Sequence, residues 1–393
     1  MSAPATTPQM VSSRRNWLGV VVVGVAVFTV TTTEMSPMGL LPSIAHDLNV
    51  SEGRVGLSVT LYGILAGLLA PLATILAGRI DRRTLLLVIL VVFTASNTLS
   101  ASAHTYPVFM ASRLLAGVIH GLMWAIVASI AIRLVADVDA VRATAAVFSG
   151  ISLALVLGVP ASAFLGGLLG WRSAFVALAI LSGATLILIR TLLPALPSTT
   201  IFGFADLIAL RRNNSLRRVL TITALIVVAN YSAYTYIAPF LHDARGLALT
   251  LIGPFLLAYG IAGVAGNFAA GALLARKRTV RAVLVVLASV FTVALLSLQF
   301  AVWPIVLAAT IAIWGASYSA IPVALQTLVL RLAGSSAGEA TTSLYVLVFN
   351  CSIAAGALTG GIAIDAVGPV LPALVGGGFC ALGLLATLSL PRR

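Results

Sequence analysis

The sequence predicts an all-α integral membrane protein: twelve transmembrane helices in two pseudo-symmetric halves of six. Three observations predict it. Of 393 residues 60% are hydrophobic and 8% charged, where a soluble domain carries about 25% charged residues. Apolar runs of about 20 residues, the length that spans a bilayer, recur twelve times. The third observation is a repeat: Pro239, Gly253 and Tyr259 each follow Pro42, Gly56 and Tyr62 by 197 positions, and His242-Asp243 follows His46-Asp47 by 196. Repeats of this kind mark transporters whose binding site lies between the halves.

The runs read, in order, as 17–43, 53–78, 84–103, 107–133, 144–169, 172–194, 218–241, 250–274, 280–299, 303–331, 340–366 and 369–391. A polar tail, 1–16, precedes the first, with no cleaved signal peptide expected. The first bundle is 17–194, a linker covers 195–217, and the second bundle is 218–393. Alternate connections carry nearly all the Arg and Lys, including Arg82, Arg83, Arg142, Arg211 and Arg281. The opposite set holds only Arg54, Arg172 and Arg245. Positive residues stay inside, so both termini and the linker are expected in the cytoplasm. That asymmetry accounts for the net charge of +13, and no nucleic-acid role is expected because the basic residues line no soluble fold. Cys351 and Cys380 lie in apolar runs, which argues against a disulfide framework. No metal or cofactor set is expected. The two His-Asp pairs read best as surface caps at helix ends.

The first helix contains Glu34 within TTTEMSPMGLLP, Thr31 to Pro42. A carboxylate at bilayer depth costs several kcal/mol and marks a proton or substrate path. The other charge at membrane depth is Arg113, about six residues or ~9 Å inside the fourth helix. Arg113, Gly117, His120 and Trp124 step by three and four, so they share one inward face. Glu34, Arg113 and His120 form the expected proton-coupling set; a static ion pair joining two helices is the alternative for the first two. His120 is also a candidate substrate contact, because imidazole donates, accepts and titrates.

In the fifth helix Gly150, Gly158, Pro160, Gly166 and Gly167 permit bending and close approach. The second half has no membrane-depth charge, but has Asn230, Tyr231 and Tyr234, then Trp314, Tyr318 and Gln326, then Asn350. With Trp124 these are the expected substrate-binding residues. Uncharged donors, acceptors and ring faces suit a neutral hydroxylated or amphipathic ligand better than a phosphate. The turn AGRIDRR, Ala77 to Arg83, supplies a candidate conformational latch: Gly78, Asp81, Arg82 and Arg83 with Asp137 or Glu339. Asp81 is expected to cap the start of the eleventh helix, where backbone N–H groups favour an anion. A solvated, orienting charge cluster is the alternative.

On these motifs the chain resembles the major facilitator superfamily, within it the drug-proton antiporter branch, and there the bacterial sugar efflux transporters of the arabinose and IPTG exporter type. The runs TTEMSPMGLLPSIA, RLLAGVIHGLMWAIVASIAIR and LVLGVPASAFLGGLLGWRSAF carry the resemblance, with NYSAYTYIAPF and FNCSIAAGAL. AGRIDRR departs from the superfamily's usual loop in being shorter and lacking a Gly between the acid and the basic pair. The resemblance implies alternating access and proton-coupled antiport that exports sugars or sugar-like molecules through a bacterial inner membrane, by a monomer that is not an enzyme. Related exporters imply nucleosides or chloramphenicol-like drugs as alternative, multidrug substrates. A polytopic membrane enzyme or a transport-inactive receptor is the remote alternative.

Overall fold

The computed structural model describes residues 13–76, 80–197, 214–275, 279–333 and 338–390, and these form helices joined by short turns. We number twelve long helices. The first half holds α1 (Arg14–Asp47), α2 (Glu52–Leu76), α3 (Arg82–Ala101), α4 (Tyr106–Arg133), α5 (Ala140–Leu153 and Val159–Leu169) and α6 (Trp171–Leu192). The second holds α7 (Asn214–Tyr234), α8 (Leu249–Ala275), α9 (Val280–Ser297), α10 (Pro304–Ala333), α11 (Gly338–Val367) and α12 (Leu371–Leu388). Eleven helices of the described residues are long and apolar enough to cross a membrane, and α2 packs among them as the twelfth.

Local chemistry sets several ends. Ser13 accepts the Asn16 N–H at 3.2 Å to start α1, and Asp81 accepts the Thr84 N–H at 3.0 Å to start α3. Thr279 does the same for α9. The turn between α11 and α12 needs φ of +123° at Gly368, which a side chain would forbid. In α5 the ladder widens to a single π-turn over Ala154–Gly158, just ahead of Pro160. The α7 helix stops at Tyr234; a three-residue turn, Ile237–Pro239, and a π-turn, Phe240–Ala244, follow it in the chain.

Packing repeats from half to half. α1 lies on α5 and α6, α2 on α4, and α3 on α4 and α6; likewise α7 lies on α11 and α12, α8 on α10, and α9 on α10 and α12. Between halves α2 meets α11 and α8 meets α5. Glycine makes these seams close. A Cβ on Gly260 would stand 2.6 Å from the Leu155 carbonyl, one on Gly253 2.8 Å from that of Pro160, and one on Gly63 3.2 Å from the Ala354 methyl. Gly56 and Gly63 of α2 precede Gly253 and Gly260 of α8 by the repeat distance. The repeat is therefore written at the seams as well as in the turns.

The molecule has two ends. The proximal end carries the first residue of α1 and the last of α12; the distal end carries the α1–α2, α3–α4, α5–α6, α7–α8, α9–α10 and α11–α12 turns. At the distal end Asp47 pairs with Arg172 at 2.6 Å and accepts the Trp171 indole N–H at 3.2 Å, while His242 Nδ1 lies 2.8 Å from the Leu247 carbonyl.

Candidate functional site

The first cluster lies in α1, α2 and α4. From Thr29 to Pro42 every residue of α1 is buried, so this helix runs through the interior and its side-chain oxygens need partners. Thr32 and Ser36 turn back onto the Phe28 and Thr32 carbonyls at 2.7 and 2.6 Å, and Ser36 also reaches Ser162 at 3.0 Å. Thr33 accepts from Asn97 of α3 at 3.1 Å.

Glu34 is 5% exposed and its Oε2 lies 3.6 Å from His120 Nε2. That gap is too long for a hydrogen bond, and the reason is Trp124. The indole N–H of Trp124 donates to His120 Nε2 at 2.6 Å, while His120 Nδ1 faces the Tyr62 hydroxyl at 2.8 Å. Indole nitrogen only donates, so Nε2 is the acceptor and the ring proton sits on Nδ1. In this arrangement the imidazole is neutral and offers Glu34 no N–H. Arg113, fully buried, donates to the Glu34 backbone carbonyl at 3.2 Å and lies over the Tyr62 ring, 4.9 Å from its centroid. The expected meeting of Arg113 with the Glu34 carboxylate is thus a meeting with its backbone. Nε and Nη1 of Arg113 have no hydrogen-bond partner among the described residues. Gly117 lets α4 approach α2, a Cβ there falling 3.0 Å from the Tyr62 carbonyl.

The second cluster lies in α7, α8 and α10. Asn230 Oδ1 accepts the Trp314 indole N–H at 2.9 Å and the Tyr259 hydroxyl at 3.2 Å, which fills both lone pairs. Around it Tyr259 and Trp314 meet edge-on with centroids 5.3 Å apart, Tyr234 and Trp314 at 6.0 Å, and Tyr231 and Tyr318 at 6.3 Å. The Tyr234 hydroxyl, on a side chain that is almost wholly enclosed, has no partner among the described residues. Met35 and Met38, which flank Glu34 on α1, belong to the same buried group as these rings. The two clusters therefore share a wall.

Not every expected contact converges. Gln326 is exposed, eight residues beyond Tyr318 toward the proximal end. Asn350 donates to the Val346 carbonyl at 3.0 Å and packs against Gly67 of α2. Asp81 Oδ1 caps α3, and its Oδ2 accepts the Leu196 N–H; Arg83 donates to the Arg190 carbonyl. Asp139 lies 3.9 Å from Arg142, and Asp137 is exposed. Gly78 and the Glu339 side chain lie outside the described residues. Of the bending motif, Gly150 and Gly158 face α1, at Gly24 and Thr32, Gly166 faces Leu40, and Gly167 faces Leu249 and Thr250 of the other half. Tyr62 and Tyr259 are not among the expected contacts, although their 197-residue spacing singles them out. No group of His, Cys, Asp and Glu among the described residues has the geometry of a metal site.

The family profile described as Major Facilitator Superfamily matches residues 23–345. Solved structures share the fold. The human organic anion transporter MFSD10 (TETRAN) aligns at TM-score 0.67 and 18% identity over 95% of this chain and 99% of its own. The nucleoside transporter NupG aligns at 0.79 and 12%, over 95% and 99%. A bacterial homologue of the human lysosomal transporter Spinster, inward-facing and unoccupied, aligns at 0.75 and 13%, over 96% and 98%.

Proposed function

Because the chain belongs to the major facilitator superfamily, we propose that it is a proton-coupled antiporter that exports sugars or sugar-like molecules by alternating access, with Glu34 as the coupling carboxylate. The observation that carries the reading is the enclosed Glu34, bordered by His120 in its own half and by the uncharged aromatic group of the other. A buried carboxylate with no cation on its oxygens is held cheaply only when protonated. Rocking of the halves along the α2–α11 and α5–α8 seams would expose it to water on one side and then the other. His120 is the nearest relay, Arg113 holds α1 in register through the Glu34 carbonyl, and Trp124 fixes which imidazole nitrogen bears the proton.

The substrate side follows from chemistry. Trp314, Tyr318, Tyr231, Tyr234 and Asn230 offer ring faces and neutral hydrogen-bonding groups, which suit sugar C–H faces and hydroxyls. The edge-on rings favour a second reading, a nucleoside or an aromatic amphiphile of the chloramphenicol type. The proximal end carries Arg14, Arg82, Arg83, Arg142, Arg217, Arg218 and Arg281, and the distal end Arg54, Arg172 and Arg245. By the positive-inside rule the proximal end is cytoplasmic, and the bundles 17–194 and 218–393 are the moving units of a monomer in a bacterial inner membrane.

The test uses vesicles of reconstituted protein and a panel of sugars, nucleosides and amphiphilic drugs. Glu34→Gln keeps the size of the protonated side chain and cannot release a proton. Exchange of substrate without a gradient is expected to persist, and accumulation driven by a pH gradient to stop. Accumulation at parental rates in Glu34→Gln would remove Glu34 from the coupling role.

A further inference from the structure

At the distal end one carboxylate ties the halves together. Asp365, in the last turn of α11, lies against the first turn of α2. Its Oδ1 accepts the Gly53 backbone N–H at 3.0 Å and its Oδ2 the Ser51 hydroxyl at 2.8 Å. Ser51 itself accepts the Arg54 N–H at 3.2 Å. The first turn of an α-helix has N–H groups without intrahelical partners, and here one of them is satisfied by a residue 312 positions away. The fit depends on Gly53, since any Cβ there would collide with the Asp365 carboxylate. Just below, the Tyr236 hydroxyl donates to the Ala357 carbonyl at 2.7 Å, in a slot left by Gly56 and Gly361.

The donors on the clasp carboxylate are a hydroxyl and a backbone N–H, and two further carboxyls stand near it. Glu52 of α2 neighbours Asp243, in the π-turn after α7, and Asp365. The nearby cations are engaged elsewhere: Arg54 over the Tyr106 ring, Arg172 with Asp47, and Arg245 on the Leu298 and Gln299 carbonyls. His242 lies against the Leu247 carbonyl, and His46 sits beside Asp47 at the end of α1. Among the described residues no ion pair reaches Glu52, Asp243 or Asp365.

We propose that Asp365 is a distal clasp, a helix cap supplied by one half to the other, whose two bonds across the seam favour the closed form of this face. Opening the distal face breaks the Gly53 and Ser51 bonds. The proposal rests on alternating access but not on Glu34.

The experiment measures the distal face directly. Spin labels on Ser102→Cys and Val367→Cys, in a chain carrying Cys351→Ala and Cys380→Ala, report the distance between halves by pulsed dipolar spectroscopy in nanodiscs without substrate or gradient. At pH 6 a short distance is expected to dominate. Asp365→Ala is expected to raise the long-distance population about fivefold or more, in line with the loss of a helix cap. Ser51→Ala deletes one bond between the halves, together with the local cap on the Arg54 N–H, and no core atom; it shifts the same way by less, and carries the test if Asp365→Ala fails to fold. Parental distances in Ser51→Ala and Asp365→Ala would overturn the clasp. Loss of coupling in Glu34→Gln does not alter this result.

Discussion

Asn230 offers the sharpest quantitative test of the aromatic group. Its side-chain oxygen holds two buried donors, Trp314 Nε1 at 2.9 Å and the Tyr259 hydroxyl at 3.2 Å. Asn230→Ala leaves both unpaired, and interhelical hydrogen bonds in membranes average about 0.6 kcal/mol with a maximum of about 1.7. The expected loss is therefore about 1–3 kcal/mol. Trp314→Phe removes one donor and leaves Tyr259 in place, so the coupling between the two substitutions isolates a single bond. The assay is thermal unfolding followed by labelling of Cys380, which is fully buried and becomes reactive when the second half opens. A double-mutant cycle is expected to give a coupling of about 0.6–1.7 kcal/mol. Strict additivity, within about 0.3 kcal/mol, would show that the Asn230 oxygen does not bind Trp314 in the folded protein, and the residue would return to the pool of free substrate contacts.

Two glycines separate side-chain from backbone crowding. A Cβ on Gly158 meets the Thr32 side chain, so Gly158→Ala is expected to lower the unfolding temperature and Thr32→Ala to restore it; failure of rescue would place the clash elsewhere. A Cβ on Gly315 meets the Tyr259 backbone carbonyl instead, so no side-chain trimming is expected to rescue Gly315→Ala, and rescue by Tyr259→Ala would contradict the contact. For the imidazole, nitrogen NMR of a chain with four histidines is expected to show His120 protonated on Nδ1, with Trp124→Phe releasing Nε2 and changing that signature. A parental His120 protonated on Nε2 would refute the role given to Trp124.

Much of this architecture is legible in the sequence, because apolar length and the placement of Arg are imposed by the bilayer rather than by packing detail. The apolar run 17–43 lies within the helix Arg14–Asp47, and 107–133 nearly coincides with Tyr106–Arg133. The seventh run is the exception. Pro42 and Pro239 occupy equivalent places in the repeat, yet α1 continues through Pro42 whereas α7 stops at Tyr234. Where α1 has Gly39, the second half has Tyr236, whose hydroxyl must reach the Ala357 carbonyl, and that demand is invisible to periodicity. The site shows the same division. Glu34, Arg113 and His120 stand out because polar groups in apolar runs are expensive. Which atom of Glu34 meets Arg113 depends on the rotation of α1 against α4. Likewise the positions of Tyr62 and Tyr259 reveal their kinship, while their partners, His120 and Asn230, are set by packing.

The π-turn in α5 has a consequence for which deletions the chain can tolerate. Gly150 and Gly158 both face α1, at Gly24 and Thr32. With 3.6 residues per turn, eight positions overshoot two full turns by about 80°, which would swing one glycine off the seam. The wider turn over Ala154–Gly158 absorbs that overshoot, making the eight positions close to two whole turns. The bulge therefore acts as a phase corrector between the two ends of one helix. Removing one residue from inside it would leave seven positions of regular ladder, only about 20° short of two turns. Gly166 and Gly167, which face Leu40 and the start of α8, would then keep their partners. The same deletion in the regular ladder after Pro160 would turn them by about 100°, and bulkier neighbours would meet α1 and the other half in their place.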